Sequence, residues 1–511
     1  MDAVLAASAA SARALARTTP EQRAAMLDAL AAALDADAGE LVPLARAETH
    51  LPDSRLSGEL RRTSFQARLL AARLREGLLA DVRVDHADPD WPMGPRPDLR
   101  RTTVPLGPVL VFAAGNFPFA FGVAGGDTVS ALAAGCPVVL KAHPGYPGLS
   151  RRTAEAVAGA LTAAGAPEGA FALVEGVEAG VAAVRDERIR AVAFTGSQRA
   201  GRHLFDLACA RETPIPFYGE LGSTNPVVVT PAAWRERAGE IARGLAASFT
   251  LGSGQFCTKP GVVLVPDAAA LAAALPPLTA GRMLTPETAG RFRGSLAELA
   301  AEPGVEVALC GENLCDENPG GENLCGENLR GDDPGGGAPR GERPRGGNPR
   351  GEETCDAEVV PVVLRTTAAA ALARPSILAT ECFGPSTLLV EYTDEAEVYD
   401  VVAALGGHLT ATVQAGSDGD RLALALVPLL AEHAGRVLWN DWPTGVTVSD
   451  AQQHGGPYPA STAPATTSVG TAAVARFLRP VAFQNVPEAA LPAELRDGAP
   501  GPRLVDGRRA G

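Results

Sequence analysis

The sequence predicts an α/β protein built on parallel sheets, and three observations carry that expectation. From about residue 104, short apolar runs of the buried-strand type alternate with helical stretches, as βαβ units do. A second series of the same kind starts near Asn225. Residues with chemical potential, namely Asn116, Lys141 and Thr195-Gly196-Ser197, fall just after the expected strand ends, where ligands of open parallel sheets bind.

Bulk properties narrow the class. A length of 511 residues suits about two to four domain-sized units. Hydrophobic residues make up 46% and charged residues 20%, ordinary for a soluble globular chain. The net charge of -14, with no basic cluster, argues against a nucleic-acid surface. No apolar run approaches the roughly 18 residues that span a bilayer. The start, Met1-Asp2-Ala3-Val4-Leu5-Ala6, lacks the cationic and apolar regions of a signal peptide. Eight cysteines in so long a chain do not make a disulfide framework. The expectation is a cytoplasmic protein with reduced thiols and neither nucleic-acid nor membrane partners.

The elements follow in order. Residues 1 to about 80 read as helical: Thr19-Pro20-Glu21-Gln22 is a helix start, and Met26, Leu27, Leu30 and Leu34 recur at helical spacing. Val109-Leu110-Val111-Phe112 is the first buried strand, followed by a turn at Gly115-Asn116-Phe117-Pro118 and a helical stretch. Pro137–Lys141, Phe171–Val174 and Ala191–Phe194 are further strands, with a helix over about 149–164. The second series runs through Asn225–Val229, a helix over about 232–250, the Cys257 region and Val262–Val265. Residues 309–357 stand apart. Gly311-Glu312-Asn313-Leu314-Cys315 recurs as Gly321–Cys325, and a Gly/Pro/Arg/Glu-rich tract follows. Such composition buries too little apolar surface to offset ordering entropy, so a disordered surface insert is expected. Its cysteines lack a CxxC pair and a nearby histidine, which argues against a metal site.

Cys257 lies in Thr250-Leu251-Gly252-Ser253-Gly254-Gln255-Phe256-Cys257-Thr258-Lys259-Pro260. Glycines let backbone approach a ligand closely, so the thiol suits a nucleophile; a small buried hydrophobe is the plainer reading. Glu220, between Gly219 and Leu221-Gly222, is either a surface acid or a general base for water. Asn116 is either a turn asparagine or an oxyanion donor acting with the Cys257 backbone N–H. Thr195-Gly196-Ser197 resembles a helix N-terminus suited to a pyrophosphate. Lys141 is a ribose or phosphate ligand, or a lysine that only snorkels.

Together these segments resemble the aldehyde dehydrogenase superfamily. The matching pieces are Gly115-Asn116-Phe117-Pro118, Val139-Leu140-Lys141, Phe194-Thr195-Gly196-Ser197, Gly219-Glu220-Leu221-Gly222, Gly254-Gln255-Phe256-Cys257 and Glu381-Cys382-Phe383-Gly384-Pro385, in the family's order. Lys141-Ala142-His143-Pro144, Ile215–Gly222, Gly254-Gln255-Phe256-Cys257-Thr258-Lys259-Pro260 and Gln453-His454-Gly455-Gly456-Pro457-Tyr458-Pro459 are similar to the branch of α-ketoglutaric semialdehyde (2,5-dioxopentanoate) dehydrogenases.

The resemblance implies an aldehyde dehydrogenase-like fold: a Rossmann-type cofactor domain, an α/β catalytic domain and a small β oligomerisation element. It places the cofactor domain at 1–220 with an oligomerisation hairpin near 94–106. The catalytic domain covers 221–440 with the 309–357 insert, and a return segment at 441–511 carries an oligomerisation strand near 476–487 and a flexible tail. The implied activity is NAD(P)+-dependent oxidation of an aldehyde to a carboxylic acid, with Cys257 as nucleophile, Glu220 as base for water and Asn116 at the oxyanion. His454 either shapes a loop or lies beside the thiol and nicotinamide. Lys141, Thr195, Gly196 and Ser197 are implied to hold the adenosine and pyrophosphate, and Glu381 and Phe383 the nicotinamide ribose side. Pro144 stands where NAD-preferring relatives carry a glutamate, so NADP+ is expected to be accepted and preferred. A homodimer or homotetramer follows from the same resemblance. The branch favours a semialdehyde such as 2,5-dioxopentanoate; a medium- or long-chain aliphatic aldehyde, a coenzyme A-acylating reaction and a non-catalytic binding role are the alternatives.

Overall fold

The computed structural model describes residues 1–311, 357–417 and 419–510. The chain forms two compact units: Met1–Glu220, Thr447–Gln453 and Ala465–Gly511 make the first, and Leu221–Val446 with His454–Pro464 the second.

The first unit opens with four helices, α1 (Asp2–Ala16), α2 (Pro20–Ala36), α3 (Ala38–Thr49) and α4 (Asp53–Arg75). Helix α2 starts as its sequence dictates. The Thr19 hydroxyl accepts from the Gln22 N–H at 3.2 Å, Gln22 accepts from the Thr19 N–H at 2.8 Å, and Pro20 occupies the first turn. Leu27, Leu30 and Leu34 are fully buried, so the apolar spacing is a core stripe.

Strands β1 (Arg83–Asp85) and β2 (Leu99–Pro105) precede a parallel sheet of β3 (Val109–Phe112), β4 (Val138–Lys141), β5 (Phe171–Val174), β6 (Ala191–Thr195) and β7 (Phe217–Glu220). Its order is β5-β4-β3-β6-β7, all pairs parallel. Counted in sequence this is the doubly wound order, with the reversal between β3 and β6. Every residue of β3 and β4 is buried, which is why these strands read as continuous apolar runs rather than alternating ones.

The hairpin expected near 94–106 differs in extent. Only β2 lies there; residues 86–98 form a connection closed by an Asp88–Arg96 bridge. The antiparallel partners of β2 are β1 and, over seven residues, Leu478–Gln484.

In the second unit β8 (Val227–Val229), β9 (Val262–Val265), Val362–Thr367, Ser386–Glu391, His408–Gln414 and Ala434–Trp439 run parallel. Glu306–Cys310 pairs antiparallel at one edge. Phe292, Leu296 and Leu426 pack on one side of this sheet; Ile241, Leu245 and Phe249 of the helix Pro231–Thr250 pack on the other. Leu309 and Cys310, counted in the insert by sequence, pair with Val363 and Val362. The rest of that insert, 312–356, lies outside the described residues. Among the described residues no helix is long and apolar enough to cross a membrane.

Candidate active site

In the first unit the candidate residues gather at the carboxyl ends of the parallel strands. Lys141 and Thr195 are the last residues of β4 and β6 rather than the first beyond them. Lys141 is buried, and loss of solvent pulls its pKa below the usual lysine range. The Lys141 stem lies so close to the helix Val177–Arg185 that a Cβ at Gly180 would sit 3.2 Å from its Cγ. Ser197 caps the helix Gln198–Cys209, its hydroxyl accepting from the Ala200 N–H at 3.4 Å. Gly196 and Ser197 are exposed, so the positive end of this helix is open to an anionic ligand.

Asn116 is half-buried on the turn after β3. Its carbonyl accepts from Arg55 Nη2 at 2.7 Å, and the Arg55 guanidinium lies 5.0 Å from the centre of the Phe117 ring. Glu59, one turn further along α4, is buried. It accepts from the N–H groups of Phe119 at 2.9 Å and Ala120 at 3.0 Å. Burial raises the Glu59 pKa, while Arg55, the two N–H donors and Arg62 pull it down. Glu220 ends β7 and is buried. The Ser468 hydroxyl donates to its carboxylate at 2.5 Å, and its carbonyl accepts from the Gly196 N–H at 3.1 Å.

In the second unit Cys257 is approached through Gly252, Ser253 and Gly254, all left-handed at φ of 57°, 55° and 66°. A side chain at Gly254 would also fall 2.2 Å from the Gly384 carbonyl, so glycine is required there twice over. Gln255 staples the approach: its amide donates to Gly252 O at 3.1 Å and accepts from the Leu284 N–H at 3.0 Å. Cys257 is then the second residue of a turn closed by the Lys259 N–H on Phe256 O at 3.1 Å. The thiol is half-buried, and its Sγ lies 3.5 Å from Nε2 of the buried His454. Arg436 braces the loop behind, donating to Pro443 O at 2.7 Å and Gly445 O at 2.9 Å.

Glu381 and Phe383 are half-buried on the loop before Ser386–Glu391. The Glu381 carboxylate packs so closely on Gly222 that a Cβ there would collide with it. Desolvation pushes the Glu381 carboxyl up to about 7, against the pull of the Ser223 N–H and Lys259. Lys259 is itself buried and donates to Ser386 O at 2.6 Å.

The sequence-derived residues thus fall into three groups: Asn116, Lys141, Thr195–Ser197 and Glu220 on the first unit's strand ends; Cys257 with His454; and Glu381 with Phe383. Three side chains that hold them escaped sequence reasoning: Glu59, Ser468 and Asn225. A carboxylate between Leu56 and Leu60 on the apolar stripe of α4 was a visible signal for Glu59. Ser468 carried none.

The family model described as the aldehyde dehydrogenase family matches residues 1–284. Alpha-ketoglutaric semialdehyde dehydrogenase 2 of Azospirillum brasilense is 43% identical over 497 residues, covering 95% of this chain and 87% of that protein. The alpha-ketoglutaric semialdehyde dehydrogenase of Acinetobacter baylyi is 38% identical over 503 residues, covering 96% and 88%. Among solved structures, an NAD-dependent aldehyde dehydrogenase from Sinorhizobium meliloti aligns with a TM-score of 0.69 at 21% identity, covering 95% of this chain and 87% of that one. That last likeness concerns the fold alone.

Proposed function

Because the chain belongs to the aldehyde dehydrogenase family, we propose that it oxidises a carboxylate-bearing semialdehyde, 2,5-dioxopentanoate, to the corresponding dicarboxylate with NAD(P)+ and water. The observation that carries the chemistry is the Cys257 sulfur at 3.5 Å from His454 Nε2. A thiol with a buried imidazole in reach is an activated nucleophile. The names of the two curated relatives support the substrate.

In this reading His454 Nε2 takes the thiol proton and the thiolate bonds to the aldehyde carbon. The carbonyl electrons move to oxygen, where the Asn116 amide and the Cys257 N–H donate to the oxyanion of the thiohemiacetal. NAD(P)+ when bound would supply the hydride acceptor; as hydride leaves the carbon the oxyanion electrons reform the carbonyl, and a thioester remains on Cys257. Glu220, oriented by Ser468, takes a proton from the water that attacks the thioester carbon. The C–S bond breaks, releasing the acid and restoring the thiolate. Hydrolysis, rather than transfer to coenzyme A, is favoured by the presence of this base.

The donor set fits a dinucleotide: an open helix N-terminus at Ser197 and a buried lysine, Lys141, at the end of β4. Lys141, Thr195, Gly196 and Ser197 would hold the adenosine and pyrophosphate, and Glu381 and Phe383 the nicotinamide ribose. With Pro144 in place of an acid, the repulsion that a carboxylate there would exert on a 2′-phosphate is removed, which supports NADP+ as the preferred form. Pro144→Glu is expected to move the ratio of kcat/KM values toward NAD+ by at least about tenfold; a wild-type enzyme already specific for NAD+ refutes the preference. We further propose a homodimer or dimer of dimers through the sheet of β2 and Leu478–Gln484. We also propose a cytoplasmic placement, where reducing conditions keep free thiols from forming disulfides.

The test is turnover without coenzyme A on 2,5-dioxopentanoate, succinic semialdehyde, hexanal and benzaldehyde. Cys257→Ser is expected to lower kcat by on the order of 10⁴ or more. The oxo-acid is expected to exceed hexanal in kcat/KM by at least about tenfold. Equal or better turnover of hexanal overturns the substrate, and an active Cys257→Ser overturns the mechanism.

A further inference from the structure

We propose that Asn225 is the positioning residue of the nucleophile: its side-chain amide locks the Cys257 turn to the core of its sheet and so sets the sulfur against His454. The inference rests on Cys257 being the nucleophile.

The contacts are specific. Asn225 Nδ2 donates to Cys257 O at 2.7 Å and to Lys259 O at 2.9 Å, with Ser223 O at 3.3 Å. Its Oδ1 accepts from the Ser223 hydroxyl at 2.9 Å and from Thr410 through N–H at 3.3 Å and hydroxyl at 3.0 Å. One end of the amide meets only carbonyls and the other only donors, so its orientation is determined by its neighbours. The Ser223 hydroxyl accepts in turn from the Leu409 N–H at 3.1 Å. Leu409 and Thr410 belong to the strand His408–Gln414, which pairs with both of its neighbours in the parallel sheet. The nucleophile's turn is thereby tied to a rigid element.

Asparagine is the residue that meets these demands. Asn225 is fully buried and sits at φ 47°, a left-handed conformation that asparagine tolerates and most side chains avoid. A short amide carries two N–H bonds and two lone pairs. Aspartate would turn an anion on two carbonyls, and serine has one hydrogen where two are used. Holding the Cys257 carbonyl fixes the peptide on the C-terminal side of the nucleophile. The Phe256–Lys259 bond closes the same turn. Without the amide, the buried Lys259 carbonyl and the part-buried Cys257 carbonyl lose this donor and the sulfur leaves its 3.5 Å register with the imidazole.

The experiment compares Asn225→Asp, Asn225→Ser and Ser223→Ala with Tyr392→Phe. The last removes another buried hydrogen bond of this unit, from the Tyr392 hydroxyl to Val229 O at 2.6 Å, and tests stability alone. Two rates are read: iodoacetamide alkylation of Cys257 and the pre-steady-state burst of reduced cofactor. Misplacing a reacting group by about 1 Å costs on the order of 10²-fold. Both rates are therefore expected to fall at least about tenfold in the Asn225 variants and about threefold in Ser223→Ala, with aldehyde KM within about threefold of wild type. Tyr392→Phe is expected to lower Tm and leave alkylation unchanged. Alkylation within about twofold of wild type in any folded Asn225 variant, or in Ser223→Ala should neither Asn225 variant fold, overturns the proposal. A catalytically active Cys257→Ser would instead overturn the nucleophile assignment, so the two failures are distinct.

Discussion

The Asn116 turn and the Cys257 turn are both held by one buried polar side chain from their own unit, but the two clamps have opposite polarity. Glu59 is an acceptor and takes backbone N–H groups, those of Phe119 and Ala120. Asn225 presents its donor end and takes carbonyls, those of Cys257 and Lys259. The difference follows from what each turn has to offer. An oxyanion forming at a nucleophile is stabilised by donors and opposed by carbonyl dipoles, so drawing the carbonyls of the Cys257 turn inward serves the reaction. At the Asn116 turn the proposed contribution is a side-chain amide, and the backbone N–H groups beyond it can be spent on the scaffold. A buried carboxylate takes those N–H groups, and Arg55, its counter-charge at 3.9 Å, also donates to the Asn116 carbonyl at 2.7 Å.

The largest effect that separates the turns is expected from Asn116→Ala. Losing one oxyanion donor costs about 10²–10³ in kcat. Cys257 alkylation should stay near wild type, since the thiol's own turn is untouched. If alkylation falls in step with kcat, the two turns do not act independently and the comparison fails.

Glu59→Ala comes next and should act first on stability. Two buried N–H groups lose their acceptor, a cost of about 1–3 kcal/mol each, and Arg55 loses its counter-charge. Urea denaturation should show a loss of about 2–4 kcal/mol, with kcat reduced less than in Asn116→Ala. Glu59→Gln, which keeps an acceptor oxygen, should recover most of the loss; a Gln variant as weak as the Ala one would mean that charge, not the N–H bonds, holds the turn.

These clamps also show what the sequence exposes and what it hides. Val109–Phe112 and Val262–Val265 were legible residue for residue, because a strand buried on both faces is a short apolar run in any context. Cys257, Glu220 and Asn116 stand out in the sequence because glycines and prolines frame them. Their holders were not. Glu59 reaches across 60 positions to Phe119, Asn225 across 32 to Cys257, and Ser468 across 248 to Glu220. Single-residue contacts at such separations leave no periodicity. Around the hairpin expected near 94–106, the local partner of β2 is Arg83–Asp85, which precedes that window, and its longer partner is Leu478–Gln484, within the strand expected near 476–487.

Glu381 gives the smallest of these effects and the one whose sign is most exposed to test. Its carboxyl is raised from 4.5 to about 7 by desolvation, so burial disfavours the ionised form. Stability linked to this group is present below its unfolded value and is lost as pH rises through about 7. Cofactor binding should run the other way. Ribose hydroxyls donate more strongly to a carboxylate than to a carboxylic acid, so the cofactor KM is expected to fall as pH rises through about 7, by about three- to tenfold. Glu381→Gln titrates in neither state and should flatten both trends. KM and Tm measured between about pH 6 and about pH 8.5 decide the matter. Equal slopes in wild type and Glu381→Gln would remove Glu381 from the ribose and leave its close packing on Gly222 as a structural contact only.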